Sequence, residues 1–216
     1  MSLFILTSDI IFPPPESADE DGLLAIGGDL TSERLLHAYR KGIFPWYNEN
    51  EPIFWWFPNP RFVLFPSELK ISGSMRTVCN SGRFKFTVNK SFEDVINSCR
   101  NIVRKEQPGT WLSKDIIEAY TRLHIQGYAH SAEAWHNGEL VGGLYGVLLG
   151  KVFFGESMFS KESNASKFAF IQYVQHLQKQ GIELIDCQVY TAHLESLGAR
   201  MIERTQFSKL LRSLIN

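Results

Sequence analysis

The sequence predicts an α/β (α+β) protein, with a small N-terminal α/β domain over residues 1–107 and a second α/β domain over 108–216. Three observations carry that prediction. Helical and alternating apolar patterns follow one another along the chain. The 216 residues, 44% of them hydrophobic, suffice for a substantial core. Gln107-Pro108-Gly109 breaks the pattern between two self-contained runs. With no stretch of about 18 apolar residues and no signal-peptide pattern at its start, the expectation is a cytoplasmic protein with no membrane association.

In chain order, Phe12-Pro13-Pro14-Pro15 followed by Glu16 to Asp21 reads as an extended polar surface segment. The glycines of 22–30 form neither G-x-G-x-x-G nor a P-loop, so nothing marks a nucleotide loop. Thr31 caps a helix to about Lys41, with Leu35, Leu36 and Tyr39 on one face and Gly42 as its stop. Two proline-bounded aromatic clusters, 43–47 and 53–57, follow, and the second reads as a strand. Aromatics this dense read first as core and second as stacking platforms, with Trp46 the best candidate for exposure. Helices over Ser74 to Cys79 and Phe92 to Val103 flank a strand at Phe84 to Val88.

Beyond the break, Ser113 caps a helix over Lys114 to Gln126. Strands at His130 to Trp135 and Glu139 to Leu149 are joined by Asn137-Gly138, a hairpin dipeptide, and Val152 to Phe159 completes a meander. A helix from about Asn164 to Gln180 comes next. The strand Ile182 to Gln188, a turn at His193 to Gly198, a strand near Arg200 and a final helix from Gln206 close the pattern. This is the order of an acetyltransferase-like (GNAT-type) C-terminal domain. Acyl-CoA-dependent members of that architecture bind pyrophosphate on a glycine-rich turn before the central helix. Here that place reads Ser160-Lys161-Glu162-Ser163-Asn164-Ala165-Ser166-Lys167, without glycine, which disfavours coenzyme A.

Charge is unevenly spread. Residues 1–60 hold three Lys/Arg against nine Asp/Glu, 61–105 hold nine against three, and the remainder holds ten against eleven. The basic block, Arg61 to Lys105, is a candidate phosphate-facing surface or else a solvated face. Three cysteines without C-x-x-C spacing and six scattered histidines suggest reduced thiols and no metal site. Within the strands, Glu156 is a carboxylate in an apolar run and needs a partner or a task. Period-two alternation in Leu184-Ile185-Asp186-Cys187-Gln188 puts Asp186 and Gln188 on one face and Cys187 on the other, which argues against a thiol nucleophile.

GLLAIGGDL (22–30), AYRKGIFPWY (38–47), the WW-x-P-x-PR pattern at 55–61, TW (110–111), HS-x-E-x-W (130–135), LVGGLYGV (140–147), FFGESMFS (153–160), NASK (164–167), LIDCQ (184–188) and HL-x-SLGA (193–199) resemble the leucyl/phenylalanyl-tRNA–protein transferase family over nearly the whole chain. The resemblance implies an enzyme that moves Leu or Phe, and less often Met, from aminoacyl-tRNA to proteins beginning with Arg or Lys. That transfer marks them for N-end-rule degradation. It also implies no cofactor, because the aminoacyl ester is already activated, and the expected state is a monomer. An acyl-CoA-dependent N-acetyltransferase and a non-catalytic aminoacyl-tRNA-binding protein are the alternatives.

Aminolysis of an ester by a free amine asks mostly for positioning. On that chemistry Asp186 is expected to orient the amine or take its proton, with Gln188 beside it, unless the pair is a structural node. Glu156 is expected to recognise the acceptor's basic residue or to brace the site. An apolar pocket for Leu, Phe and Met draws on Leu144, Phe153, Met158, Phe170 and Ile185, with Gly155 in the same motif, although Leu144 and Phe170 read first as core. Trp46 and Trp111 are candidates for stacking on the terminal adenosine, with Tyr120 bonding nearby. Ser160 and Asn164 cap the central helix, with substrate contact as a second role.

Overall fold

The computed structural model describes residues 3–101 and 112–215. Its smaller sheet holds β1 (Phe4–Leu6), β2 (Leu23–Gly27), β3 (Phe44–Pro45) and β4 (Phe54–Trp56) in the order β1-β2-β4-β3. The helix α1 (Ser32–Arg40) begins where the Thr31 side chain accepts the Arg34 N–H, and it presents Leu35, Leu36 and Tyr39 to the core. Phe12 is buried rather than on a polar surface, seated edge-on against Trp55. A three-residue strand such as β1 offers too short an alternation to read from sequence.

The larger sheet contains β5 (Arg61–Leu64), β6 (Lys85–Val88), β7 (Ala129–His136), β8 (Glu139–Leu149), β9 (Val152–Ser160), β10 (Leu184–Gln188) and β11 (Arg200–Ile202), in the order β11-β5-β10-β9-β8-β7-β6. β7, β8 and β9 form the expected meander, turning first at Asn137-Gly138, both with positive φ. Helices α2 (Gly73–Asn80), α3 (Phe92–Asn101), α4 (Lys114–Ile125), α5 (Ala165–Lys179), α6 (Ala192–Glu195) and α7 (Arg204–Leu214) cover it. Side chains of α1, α3, α4, α7 and the small sheet pack with Val63, Tyr145, Phe154 and Leu184 on one side. Side chains of α2 and α5 pack with Phe62, Leu64, Leu144, Phe153 and Ile185 on the other. Neighbouring residues of β5, β9 and β10 thus divide between two cores, as the pleat requires.

The expected boundary at 107/108 lies outside the described residues. β5 and β6 precede it and are hydrogen-bonded into the same sheet as the strands that follow it. β10 in particular lies between β5, antiparallel, and β9, parallel.

Candidate active site

The site forms where β9 and β10 part. Their parallel pairing runs from Leu184–Val152 to Asp186–Phe154 and goes no further, although β9 continues to Ser160. Each strand carries an irregularity at that point. On β9 the pairing with β8 skips Glu156, which is the extra residue of a bulge between Gly155 and Ser157. On β10 the register against β5 shifts between Asp186 and Gln188, and Gln188 takes a φ of 63°. The bulge needs Gly146 opposite it, because a Cβ there would stand 2.1 Å from the Phe154 carbonyl oxygen and 2.5 Å from the Phe153 ring.

The gap between the strands opens into a hollow of about 380 Å³, within the range of a small-molecule site. Leu144, Gly155, Met158, Phe170 and Ile185 line it, with Glu156 and Gln188 as polar members. Five expected pocket residues are therefore brought together. Phe153 is not among the lining residues, because it packs edge-on against Tyr173 in the α5 core. Ser160 and Asn164 lie elsewhere, at the start of α5. There the Ser160 hydroxyl accepts the Ser166 N–H and donates to the Glu162 carbonyl, and Asn164 takes a left-handed φ with no side-chain cap. Trp46 is half-buried at a 6.0 Å ring distance from Trp56 and does not line the hollow. Trp111 lies outside the described residues.

Glu156 is gripped from three sides. Tyr39 donates to its Oε1 at 2.7 Å, Tyr120 to its Oε2 at 3.0 Å, and the Gln188 amide to Oε1 at 2.9 Å. The Tyr39 and Tyr120 hydroxyls also touch each other. Burial pushes the Glu156 carboxyl up to about 7, and the nearby Asp186 charge adds to the rise against the lowering effect of the donors. Burial, then the neighbouring Glu156, lifts both tyrosines well above their usual 10.

Asp186 forms a hydrogen-bond node of the kind that the sequence analysis kept as its alternative. It is among the residues that line the hollow, but its carboxylate is fully buried and bonded twice to Arg61, with Nε to Oδ1 at 2.8 Å and Nη2 to Oδ2 at 2.6 Å. Its Oδ1 also accepts the Gln188 backbone N–H at 2.9 Å. Both carboxylate oxygens are thus already bonded within the protein. Asp186 fixes the turn that aims Gln188 at Glu156. At the register shift, with Gln188 at positive φ, its backbone N–H serves Asp186 and its side-chain amide serves Glu156. Arg61 is no part of a basic surface. Its guanidinium is enclosed by the rings of Phe44 (4.8 Å), Phe57 (5.8 Å) and Phe207 (4.6 Å), and it donates to the Gly42 carbonyl.

Cys187 packs with Leu64 and Ile185, on the opposite side of β10 from the Arg61–Asp186 enclosure as alternation predicts, and there it lines the hollow. Burial, followed by the Asp186 charge, raises its thiol, so it stays protonated and weakly nucleophilic. His193 of α6 also lines the hollow, and burial with Lys167 nearby lowers its pKa and keeps it neutral. The sequence reading missed Tyr39 and Arg61 as members of the site. Their signal was faint: a tyrosine on the inward face of each of two helices, and an arginine inside an apolar strand. No group of His, Cys, Asp and Glu among the described residues is arranged to hold a metal ion.

The family model described as leucyl/phenylalanyl-tRNA protein transferase matches residues 63–212, and the model of that family's N-terminal domain matches 28–59. A leucyl/phenylalanyl-tRNA–protein transferase of Syntrophobacter fumaroxidans is 56% identical over 98% of this chain and 90% of its own length. One from Flavobacterium johnsoniae is 57% identical over 98% of this chain and 100% of its own. Among solved structures, a GCN5-related N-acetyltransferase-like protein from Streptococcus suis superposes with a TM-score of 0.40 at 12% identity, over 80% of this chain and 64% of that one. So loose a superposition carries no argument about chemistry. Sequence identity above one half along almost the full length does carry one, and the chain belongs to the leucyl/phenylalanyl-tRNA–protein transferase family.

Proposed function

We propose that this protein transfers Leu or Phe, and also Met, from aminoacyl-tRNA to the α-amine of proteins beginning with Arg or Lys, so marking them for degradation. Family membership supports the transfer itself. The observation that supports the donor side chains is the hollow, apolar along Leu144, Met158, Phe170 and Ile185 and ending on Glu156 and Gln188. Each methylene in such a pocket is worth about 1–3 kcal/mol, so Leu, Phe and Met are accepted together while Ala and Gly gain little.

In this reading the side chain of the ester occupies the hollow, and its carbonyl lies beside the Gln188 amide. The acceptor amine approaches the same point. A free α-amine has a pKa of about 7.7–8.0, so an appreciable minority is neutral and ready to attack near pH 7. Holding the two reactants together supplies most of the rate, since well-oriented partners gain about 7–11 kcal/mol. The ester is already activated, and the reaction as proposed draws on no further cofactor. Trp46 and Trp111 are the proposed platforms for the terminal adenosine.

Radiolabelled Phe-tRNA incubated with an Arg-starting and an Ala-starting peptide tests the proposal. Label is expected on the first peptide alone. Equal labelling of both would refute the acceptor selectivity, and labelling of neither would leave a binding protein.

A further inference from the structure

We propose that Glu156 enters the transfer reaction as a neutral carboxylic acid, closed into a ring of three hydrogen bonds with Tyr39 and Tyr120, and that it protonates the departing ester oxygen. The second half rests on the function proposed above, whereas the first half stands on a count of protons.

Three contacts join three groups: Tyr39 to Glu156 Oε1, Tyr120 to Glu156 Oε2, and Tyr39 to Tyr120. A hydroxyl carries one proton and an ionised carboxylate none. With Glu156 ionised, two protons must serve three contacts, and the two hydroxyl oxygens would meet with lone pairs facing. With Glu156 protonated, one of the two tyrosine–carboxyl contacts reverses: the acid donates to one tyrosine, that tyrosine donates to the other, and the other donates to Glu156, so every contact holds one proton and the ring closes. The Gln188 amide bonds Oε1 separately and cannot serve the Tyr39–Tyr120 contact. Neither tyrosine gives up its proton, since burial holds both hydroxyls far above neutrality.

The surrounding charges agree. Asp186 lies close enough to disfavour a second anion, and its counter-ion Arg61 donates to Asp186 and to the Gly42 carbonyl rather than to Glu156. Tyr145 stands edge-on to Tyr120, and Cys187 and His193 face the hollow uncharged. No cation among these groups stabilises a carboxylate at Glu156. The rise of Glu156 to about 7 is in keeping with the count.

In the transfer step the neutral amine nitrogen bonds the ester carbon, and the bond from that carbon to the ribose oxygen breaks. The departing oxygen takes the Glu156 proton, and the surplus proton on the new amide nitrogen returns to Glu156. The ring ends with the count it started with. Tyr39 and Tyr120, both fully buried, act through Glu156 and are positioning residues.

NMR titration of the full chain, carrying carboxyl-labelled glutamate, with Glu156 identified by the signal lost in Glu156→Gln, reads the protonation state directly. Removing one tyrosine leaves one contact and one proton, which suits the anion. Tyr39→Phe and Tyr120→Phe are each expected to move the Glu156 midpoint to lower pH. A midpoint unchanged or raised, as when two donors serve an anion, would overturn the ring. Single-turnover Phe transfer to an Arg-starting peptide reads the donor role. Glu156→Gln, which bonds alike but cannot pass a proton, is expected to lose about 100-fold or more. The fall in rate at high pH should move down with the midpoint in the two Phe variants. A Glu156→Gln rate within a few-fold of wild type, or a fall that does not move, would overturn the donor role. Absence of transfer by the wild type with midpoints shifting as expected would refute the proposed function and leave the ring standing.

Discussion

Replacing Asp186 by alanine strands the Arg61 guanidinium in a site with no solvent access. Breaking a buried pair in this way costs about 3–5 kcal/mol, and the Gln188 N–H loses its acceptor as well. Denaturant unfolding of Asp186→Ala should show a loss of that size, and any fall in transfer activity should accompany misplacement of Gln188. Glu156 behaves in the opposite sense. Its folded carboxyl binds a proton more tightly than the ordinary value of 4.5, so the stability it contributes is intact below about pH 4.5 and is lost as pH rises through about 7. Glu156→Gln should therefore match wild type near pH 4.5 and exceed it in stability by pH 8. The margin is on the order of 3 kcal/mol, less whatever water in the hollow screens. Unfolding free energies measured across that range check the slope. Glu156 stood out in the sequence because a charge inside an apolar strand demands explanation. The partners that answer it, Tyr39 and Tyr120, lie 117 and 36 residues away, and no local pattern links them.

Helices and hairpins follow from local chemistry, so the caps at Thr31 and Ser113, the stop at Gly42 and the Asn137-Gly138 turn all fall where their side chains and φ values require. The bulges on β9 and β10 do not, since alternation presumes an unbroken pleat. Past Asp186 the register against β5 shifts and Gln188 takes a positive φ, neither of which a period-two pattern reveals. Glycine marks the break only in retrospect: Gly146 leaves room for the crowded Phe154 carbonyl. Gly146→Ala should cost about 1–3 kcal/mol or more through overpacking. It should also weaken transfer beyond what that loss explains, because relief of the clash closes the gap that forms the hollow. Unfolding midpoints and single-turnover rates on the same preparation separate the two effects.

At the scale of the molecule, the large sheet places β10 between a strand from before residues 102–111 and a strand from after them. A fragment spanning 108–216 would expose both edges left by β5 and β6 and would leave Asp186 without Arg61. Such a fragment is expected to lack the cooperative unfolding and dispersed amide spectrum of the full chain, and adding residues 1–107 in trans should restore some of both. A fragment that folds alone would contradict this. The mixed α/β order was legible from the sequence because each element announces itself within a dozen residues. The pairing of β5 with β10 was not, since strand partners so far apart in the chain share no local signal.

The aromatic enclosure of Arg61 draws Phe44 and Phe57 from the first third of the chain and Phe207 from α7. During translation, a ribosome that has delivered everything up to β11 still holds Phe207 back, and one wall of that enclosure is missing. Closure of the last face over the Arg61–Asp186 pair thus waits until α7 has emerged.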